Sequence, residues 1–171
     1  RMSIRQSKIA KEAKMATIED RIARGKAKMV ELFGPGAEEP TGLMFEMAPD
    51  FGNMVQEIIF GEVWSDPKLD TKLRSFITMA SLVALDRQPE LRIHFRAALN
   101  LGIPKEQIIA LISHVGFYGG VPVALNSLRT AKEIFEKWDE AQRKNAHSGD
   151  ILFSLTGILS RGNPTSSLRS S

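Results

Sequence analysis

The residues best suited to acid–base chemistry lie in the segment 86–102, DRQPELRIHFRAALNLG. If a helix begins near Pro89, Glu90 and His94 are four residues apart and share one helix face. A carboxylate one turn ahead of a histidine can orient the imidazole and raise its pKa, which makes it a proton donor near neutral pH. The same spacing is common in surface pairs and around partly buried structural histidines. Glu90 and His94 are therefore candidate catalytic residues, with a structural role as the alternative.

Two arginines close to this pair in sequence could bind a carboxylate, because the planar guanidinium can donate two parallel hydrogen bonds to it. Arg87 lies about one turn before Glu90. Arg74 interrupts an otherwise apolar segment, where it could clamp a substrate or form a structural ion pair, for example with Asp70. The residues alone leave both roles open.

A further group of candidates precedes and follows a Gly-Gly break. His114 and Tyr118 are one helical turn apart, and the segment 119–122, GGVP, follows them. Free backbone N–H groups at the start of the next helix could bind an anion, although a glycine pair between helices usually forms only a turn. A tryptophan in the segment 61–67 could line a pocket or pack in the core. The candidate substrate-binding residues are thus Arg74, Arg87, Tyr118, Trp64, His114 and Gly119.

The residue counts exclude several kinds of chemistry. The chain of 171 residues contains no cysteine and three histidines. Disulfides, thiolate nucleophiles, Cys-ligated zinc and iron–sulfur clusters are therefore excluded, and a histidine-rich metal site is not expected. We therefore expect no metal site.

The charge distribution argues against nucleic acid as a partner. The net charge of +3 combines +6 over residues 1–30 with −5 over residues 31–150 and +2 at the end. A groove-binding domain more often carries its positive charge on the body of the fold. No run of 18 apolar residues exists, and the start lacks the apolar region of a signal peptide. We therefore expect no membrane contact and a cytoplasmic location.

The hydrophobic pattern predicts an all-α fold, because helix signals recur and no clear strand alternation is found. One or two polar helices are expected over residues 6–33, ended by the GPG of residues 34–36. A short apolar helix is expected over 51–60. A loop that carries Trp64 is expected over 61–67.

The second half of the chain predicts four longer helices. Asp70 is a suitable N-cap for a helix over 71–86, whose inward face we expect to be Leu73, Phe76, Ile77, Ala80, Val83 and Ala84. Pro89 and Gly102 are expected to begin and end the next helix. Further helices are predicted from Pro104 to about Tyr118 and from Pro122 to about Ala141 or a little beyond.

Several motifs together resemble the carboxymuconolactone decarboxylase family. They are G-E-V-W, L-D-x-K-x-R, L-R-x-H-x-R-A-A-L-N and Y-G-G-V-P-x-A-L-N, within a resemblance that runs from about residue 24 to residue 136. We divide the chain accordingly into a basic helical extension (1–23), a family-like helical domain (24–141) and a tail (142–171) that could serve as an oligomer arm.

The resemblance implies an all-helical, alkylhydroperoxidase D-like subunit that forms a homo-oligomer, a trimer or a hexamer. It also implies a cofactor-free decarboxylase of 4-carboxymuconolactone in the β-ketoadipate pathway of aromatic catabolism. Relatives in the wider superfamily use a Cys-x-x-Cys-x-x-x-His motif, whose cysteine positions fall here on Arg87 and Glu90, while its histidine falls on His94. Thiol peroxidase chemistry is therefore excluded.

The implied reaction defines what the site must supply. Loss of CO2 leaves a dienolate that must be protonated on carbon, so we assign His94 as the proton donor and Glu90 as the residue that orients it. Arg74 or Arg87 would hold the retained carboxylate. Tyr118, or N–H groups near Gly119, would face the oxyanion. The alternatives are a cofactor-free enzyme acting on another small carbonyl acid or lactone, and a non-catalytic helical assembly protein.

Overall fold

The computed structural model describes residues 17–159, with side chains up to residue 145. Every regular element in this part of the chain is helical, which confirms the predicted all-α fold. The elements are α1 (Ile18–Phe33), α2 (Leu43–Met47), α3 (Pro49–Met54), a π-helix (Val55–Val63) that continues α3, α4 (Thr71–Ala84), α5 (Gln88–Asn100), α6 (Lys105–Gly119) and α7 (Val121–Leu159). Among these helices, none has the length and apolar character that crossing a bilayer requires.

The chain divides after Ala131, within α7. The first unit contains α1 to α6 and the start of α7, and all candidate site residues belong to it. In the second unit, α7 carries the exposed ion pairs Lys132–Glu136 at 3.9 Å and Lys144–Glu140 at 2.8 Å, both four residues apart. The helix extends to Leu159, beyond the end predicted near Ala141. Residues 1–16 of the predicted extension (1–23) and residues 160–171 of the predicted tail lie outside the described residues.

The predicted start of α4 and both predicted ends of α5 are confirmed, whereas α4 ends at Ala84, two residues before its predicted end. The Asp70 side chain accepts a hydrogen bond of 2.9 Å from the backbone N–H of Leu73, which satisfies a free donor at the start of α4. Pro89 lies in the first turn of α5, and Gly102 follows its end with a φ of 70°. These local signals therefore set the two helices that carry Arg74 and His94.

Trp64 follows a helix directly, so the prediction of a loop over 61–67 is wrong at its start. Helical structure continues without a break through α3 and the π-helix to Val63. The N–H of Trp64 donates a hydrogen bond of 2.8 Å to the carbonyl of Ile59, which fixes the residue at the end of the π-helix. Gly61 lies inside the π-helix and does not end it. Its position is tightly packed, and no side chain would fit there.

The π-helix crosses α1 at two glycines. A Cβ added at Gly25 would collide with the carbonyl oxygen of Gln56, and one at Gly61 would collide with the carbonyl oxygen of Arg21. The Arg21 side chain also donates hydrogen bonds of 2.8 and 2.6 Å to Glu57 across the same crossing. A glycine in the middle of a helix such as α1 weakens it, but Gly25 allows the two helices to approach closely at this crossing.

We expect Gly25→Ala to destabilise the protein by about 3 kcal/mol, since the obstructing atom is backbone and cannot rotate away. Chemical denaturation of the variant and the parent measures this loss. Gly119→Ala is the matched control, because its Cβ would meet its neighbours at 3.5 Å or more. Its stability should stay within about 0.5 kcal/mol of the parent. Equal stability of both variants would show that the close crossing is absent.

The buried face of α4 differs from the predicted one. Ser75, Met79 and Val83 are fully buried, whereas Leu73 and Ile77 are 45% and 48% exposed. Val83 was predicted correctly, and Leu73, Ile77 and Ala84 were not. The reason is that α4 is apolar on most of its surface, so its sequence pattern does not distinguish the face that packs in the subunit from the face left outside it.

Candidate active site

His94 lies on α5 with its ring half-buried among aromatic side chains. The ring stacks on Trp64 with a centroid distance of 6.1 Å and an interplanar angle of 14°. Phe33, at the end of α1, meets the ring edge-on at 6.3 Å and 70°. Three separate segments of the chain therefore meet at this imidazole.

The aromatic wall around His94 is anchored in the core. Trp64 is 6% exposed and packs in one cluster with Leu32 and Ala97. Phe33 and Phe60 contact each other edge-on at 5.7 Å. Trp64 is thus a core residue, as one of its two predicted roles required, and it also contacts a candidate catalytic side chain.

A hydrogen bond also connects α5, which carries His94, to α1, which carries Phe33. The Asn100 side chain on α5 donates a hydrogen bond of 3.1 Å to the carbonyl of Leu32 on α1. This bond fixes the position of α5 beside the end of α1, next to Phe33. The helix that carries His94 is therefore joined directly to the helix that carries Phe33.

The electrostatics of His94 combine two opposing effects. Burial lowers the pKa of His94 below the ordinary histidine value, and the negative charge of Glu90 offsets part of this change. Glu90 is the charged group that acts on the ring, while Phe33 and Trp64, from the other elements, are uncharged. Glu90 therefore acts in the predicted direction, but the prediction of a net raised pKa is wrong for the free subunit, because burial outweighs it.

The buried ring nitrogen of His94 has no partner. Nδ1 is shielded from solvent and forms no hydrogen bond with any described residue. Glu90, which is exposed, therefore acts on the imidazole through its charge and does not hold Nδ1. An unpaired buried nitrogen is costly, and such groups are more frequent at functional sites than elsewhere.

The lowered pKa of His94 makes stability depend on pH. Between the ordinary histidine pKa of 6.5 and the lower folded value, the unfolded chain binds more protons, so acidification through this range destabilises the fold. We expect His94→Gln to remove this part of the pH dependence and Glu90→Gln to lower the pKa of His94 further. NMR titration of the imidazole measures the pKa, and denaturation between about pH 5 and about pH 7.5, where a histidine changes its charge, measures the stability. A His94 pKa at or above the ordinary value would contradict the burial described above.

Arg74 is directed at backbone carbonyls. Its Nη2 donates hydrogen bonds of 2.7 Å to the carbonyl of Asp66 and 3.4 Å to that of Leu69. Its Nε is buried and has no hydrogen-bond partner in the described part of the chain. Asp70, the ion-pair partner considered from the sequence, instead caps α4. Arg74 thus secures the turn that links Trp64 to α4.

Arg87 stands at the N-terminal boundary of α5 and is exposed. Its guanidinium forms no hydrogen bond or ion pair with the side chains described, which end at residue 145, or with the backbone of residues 17–145. It lies one turn before Glu90 and two turns before His94 on the same helix. Of the two candidate arginines, Arg87 is the one with donors available to a ligand.

The candidates on α6 lie along a different surface. His114 contacts the ring of Tyr118 at 5.1 Å and lines an open apolar groove of about 600 Å³ between α4 and α6. Tyr118 is 83% exposed, and Gly119 is the last residue of α6. The groove is lined by Phe76, Ile77, Ala80, Gln107, Ala110, Leu111, His114 and Val115. None of these residues is an aromatic neighbour of His94, so one subunit does not unite the two groups.

The sequence did not indicate Phe33 and Phe60 as part of the site. Phe33 is the last residue of a largely polar helix, and Phe60 is one of many apolar residues in the segment 51–60, whose pattern singles out no position. A signal was present in the apolar pair Leu32-Phe33 directly before the GPG turn, at the end of α1. No group of three or more ligating side chains that could hold a metal ion occurs in the described residues.

Comparison with known proteins gives consistent results. The sequence profile of the carboxymuconolactone decarboxylase family matches residues 49–133. The chain is 40% identical over 95 residues to the 4-carboxymuconolactone decarboxylase of Acinetobacter baylyi, covering 56% of this chain and 71% of that protein. It is 30% identical over 92 residues to the nitrosuccinic acid decarboxylase of Metarhizium robertsii, covering 53% of this chain and 64% of that protein. The matched region contains Trp64, Arg74 and His94.

Proposed function

The chain belongs to the carboxymuconolactone decarboxylase family, in the branch that lacks the paired cysteines, and we propose that it decarboxylates 4-carboxymuconolactone or a close lactone acid. The product would be of the 3-oxoadipate enol-lactone type. The observation that carries the proposal is the 40% identity over 95 residues to an enzyme of that name. The family match over residues 49–133 includes Trp64 and His94. Two relatives with different acids in their names are both decarboxylases, which supports the enzyme class independently of the substrate.

The chemistry requires that charge move away from the leaving carboxylate. The bond between the ring carbon and this carboxylate breaks, and its electron pair moves through the ring double bond onto the lactone carbonyl oxygen. CO2 departs and a dienolate remains. A proton then adds to a ring carbon, and the lactone carbonyl forms again. No oxidant or reductant is needed, and we propose that the enzyme needs no cofactor.

We propose His94 as the proton donor. Without substrate, the lowered pKa of His94 leaves its imidazole largely neutral at pH 7. Substrate binding must therefore favour the protonated form before His94 can act as the acid. A substrate with two carboxylates supplies negative charge next to the ring and favours the imidazolium form. The desolvated imidazolium then gives its proton to carbon and becomes neutral imidazole, which solvent protonates again.

Arg87 is the better placed of the two arginines to bind the retained carboxylate, because its guanidinium is exposed and lies on the helix that carries Glu90 and His94. Tyr118 and the N–H groups near Gly119 remain the proposed donors to the dienolate oxygen, and His114 a proposed binding residue. In one subunit they line a separate surface. Their roles would therefore require that a second subunit bring α6 to a His94 site.

We propose that the chain acts as a homo-oligomer, a trimer or a hexamer, in the cytoplasm. Large apolar side chains on α4, α6 and the start of α7 are exposed in the single subunit, among them Leu73, Ile77, Phe117, Val121 and Leu125. A monomer rarely exposes so much apolar surface in one region, whereas a subunit interface would cover it. The groove at His114 and this exposed surface share Ile77.

A comparison of two acids tests the proposed substrate. Purified protein should release CO2 from 4-carboxymuconolactone with a kcat/KM at least about tenfold above that for nitrosuccinic acid, since a site built for one acid discriminates by about 1.4 kcal/mol or more. A preference for nitrosuccinic acid would overturn the assignment of the lactone. CO2 release from neither acid by the folded oligomer would favour a related enzyme on another small carbonyl acid, or the non-catalytic assembly.

A further inference from the structure

We propose that Arg74 is a positioning residue, which holds the turn after Trp64 and thereby keeps the indole stacked on His94. The proposal assigns Arg74 a role in the site without contact with substrate. It rests on the proposed function only for its effect on turnover. The contacts that carry it are independent of any reaction.

The backbone on the N-terminal side of Trp64 is fixed by the π-helix. The Trp64 N–H donates a hydrogen bond of 2.8 Å to the carbonyl of Ile59. The hydroxyl of Ser65 donates one of 2.7 Å to the carbonyl of Phe60. These bonds hold the start of the turn but do not reach its far end.

Arg74 fixes the far end from α4. Its Nη2 bonds to Asp66 and Leu69 join α4 to the two ends of the segment 66–69. Inside this segment, the N–H of Lys68 donates a hydrogen bond of 2.9 Å to the Asp66 side chain. With the guanidinium removed, the carbonyls of Asp66 and Leu69 lose this donor, and the Asp70 cap of α4 holds only the residue that follows the segment.

The same contacts argue against Arg74 as a carboxylate clamp. A bidentate guanidinium–carboxylate pair needs two adjacent N–H donors that a ligand can reach. In Arg74, Nη2 is committed to carbonyl oxygens and Nε is buried. The donor pairs Nε–Nη2 and Nη1–Nη2 of Arg74 both include Nη2, so neither pair is available to a carboxylate. Arg87 is left as the arginine that can bind it.

The position of Trp64 can be followed through its fluorescence. The chain contains two tryptophans, so a Trp138→Phe background leaves Trp64 as the sole reporter. An imidazolium stacked on an indole quenches its emission, and Trp64 stacks on His94. Emission should therefore fall as the pH is lowered through the pKa of His94, and His94→Gln should abolish this titration.

In this background, Arg74→Met should reduce the amplitude of the Trp64 titration by at least about half and move its midpoint up, towards the ordinary histidine pKa, as burial of the ring is lost. Lys72→Met is the matched control, because Lys72 is exposed on the same helix. It should leave the titration unchanged. An unaltered Trp64 titration in folded Arg74→Met protein would overturn the proposal.

Kinetics distinguish positioning from substrate binding. Arg74→Met should lower kcat about tenfold, as expected for small displacements in a site, with KM changed by less than about twofold. In a Trp64→Phe background, its additional effect on kcat should be below about twofold, because both changes act on the same contact. A large rise in KM with kcat unchanged would make Arg74 a substrate ligand and contradict the proposal. If the protein turned over no lactone, the fluorescence titration would still decide the role of Arg74.

Discussion

Replacing His94 with Gln should lower kcat for lactone decarboxylation by about 10²- to 10⁴-fold, the range expected when a general acid is removed. Glutamine is similar in size and polar but cannot deliver a proton at this position. The half-buried setting beside Trp64 and Phe33 can accommodate it, so the variant should fold. The measurement is steady-state CO2 release at saturating substrate, with unfolding curves to verify the fold.

The pH profile adds an independent test of the same residue. Because burial lowers the pKa of free His94, kcat/KM should fall as the pH rises above this lowered pKa. The fall in kcat should occur at higher pH, since bound substrate favours the imidazolium. Glu90→Gln should move the kcat/KM profile to lower pH. A kcat in His94→Gln within about threefold of the parent would end the assignment of His94 as the acid.

Replacing Trp64 with Ala should destabilise the protein by about 3 to 5 kcal/mol, the usual cost of truncating a buried aromatic residue. Trp64 is 6% exposed and packs with Leu32 and Ala97, so its removal leaves a cavity beside His94. Denaturant unfolding measures the loss. The pKa of His94 should rise at the same time, because the ring loses the indole that shields it.

Trp64→Phe provides the control, because an aromatic ring is retained and the cavity is smaller. Its cost should be clearly less than that of Trp64→Ala. If Trp64→Ala cost less than about 1 kcal/mol, the tryptophan would behave as a surface residue, and the buried aromatic wall would be wrong. If it were destabilised as expected but the His94 pKa did not move, the stacking contact would be wrong.

The helix framework of the site could be predicted because its signals are local. Asp70 caps α4 with its own side chain, and Gly102 adopts the positive φ that ends α5. The four-residue spacing of Glu90 and His94 likewise follows from helix geometry alone. These features depend on a few neighbouring residues and need no knowledge of the rest of the chain.

What could not be predicted depends on contacts between distant segments. Phe33 and Trp64 are far from His94 in sequence. The crossing of α1 and the π-helix at Gly25 and Gly61, together with the bond from Asn100 on α5 to α1, brings them together. The net pKa direction of His94 depends on this burial, which the neighbouring Glu90 does not reveal. The buried face of α4 was predicted incorrectly for the related reason that its exposed face is also apolar.

Decarboxylation of 4-carboxymuconolactone in D2O tests the central claim most directly. The purified protein, without added cofactor, should release one CO2 per lactone and give a product with one carbon-bound deuterium, both detectable by NMR. His94→Gln, folded and at the same concentration, should form this product at least about 10²-fold more slowly. Failure of the folded parent to release CO2, or equal rates in the two proteins, would contradict the account of a decarboxylase that protonates its dienolate through His94.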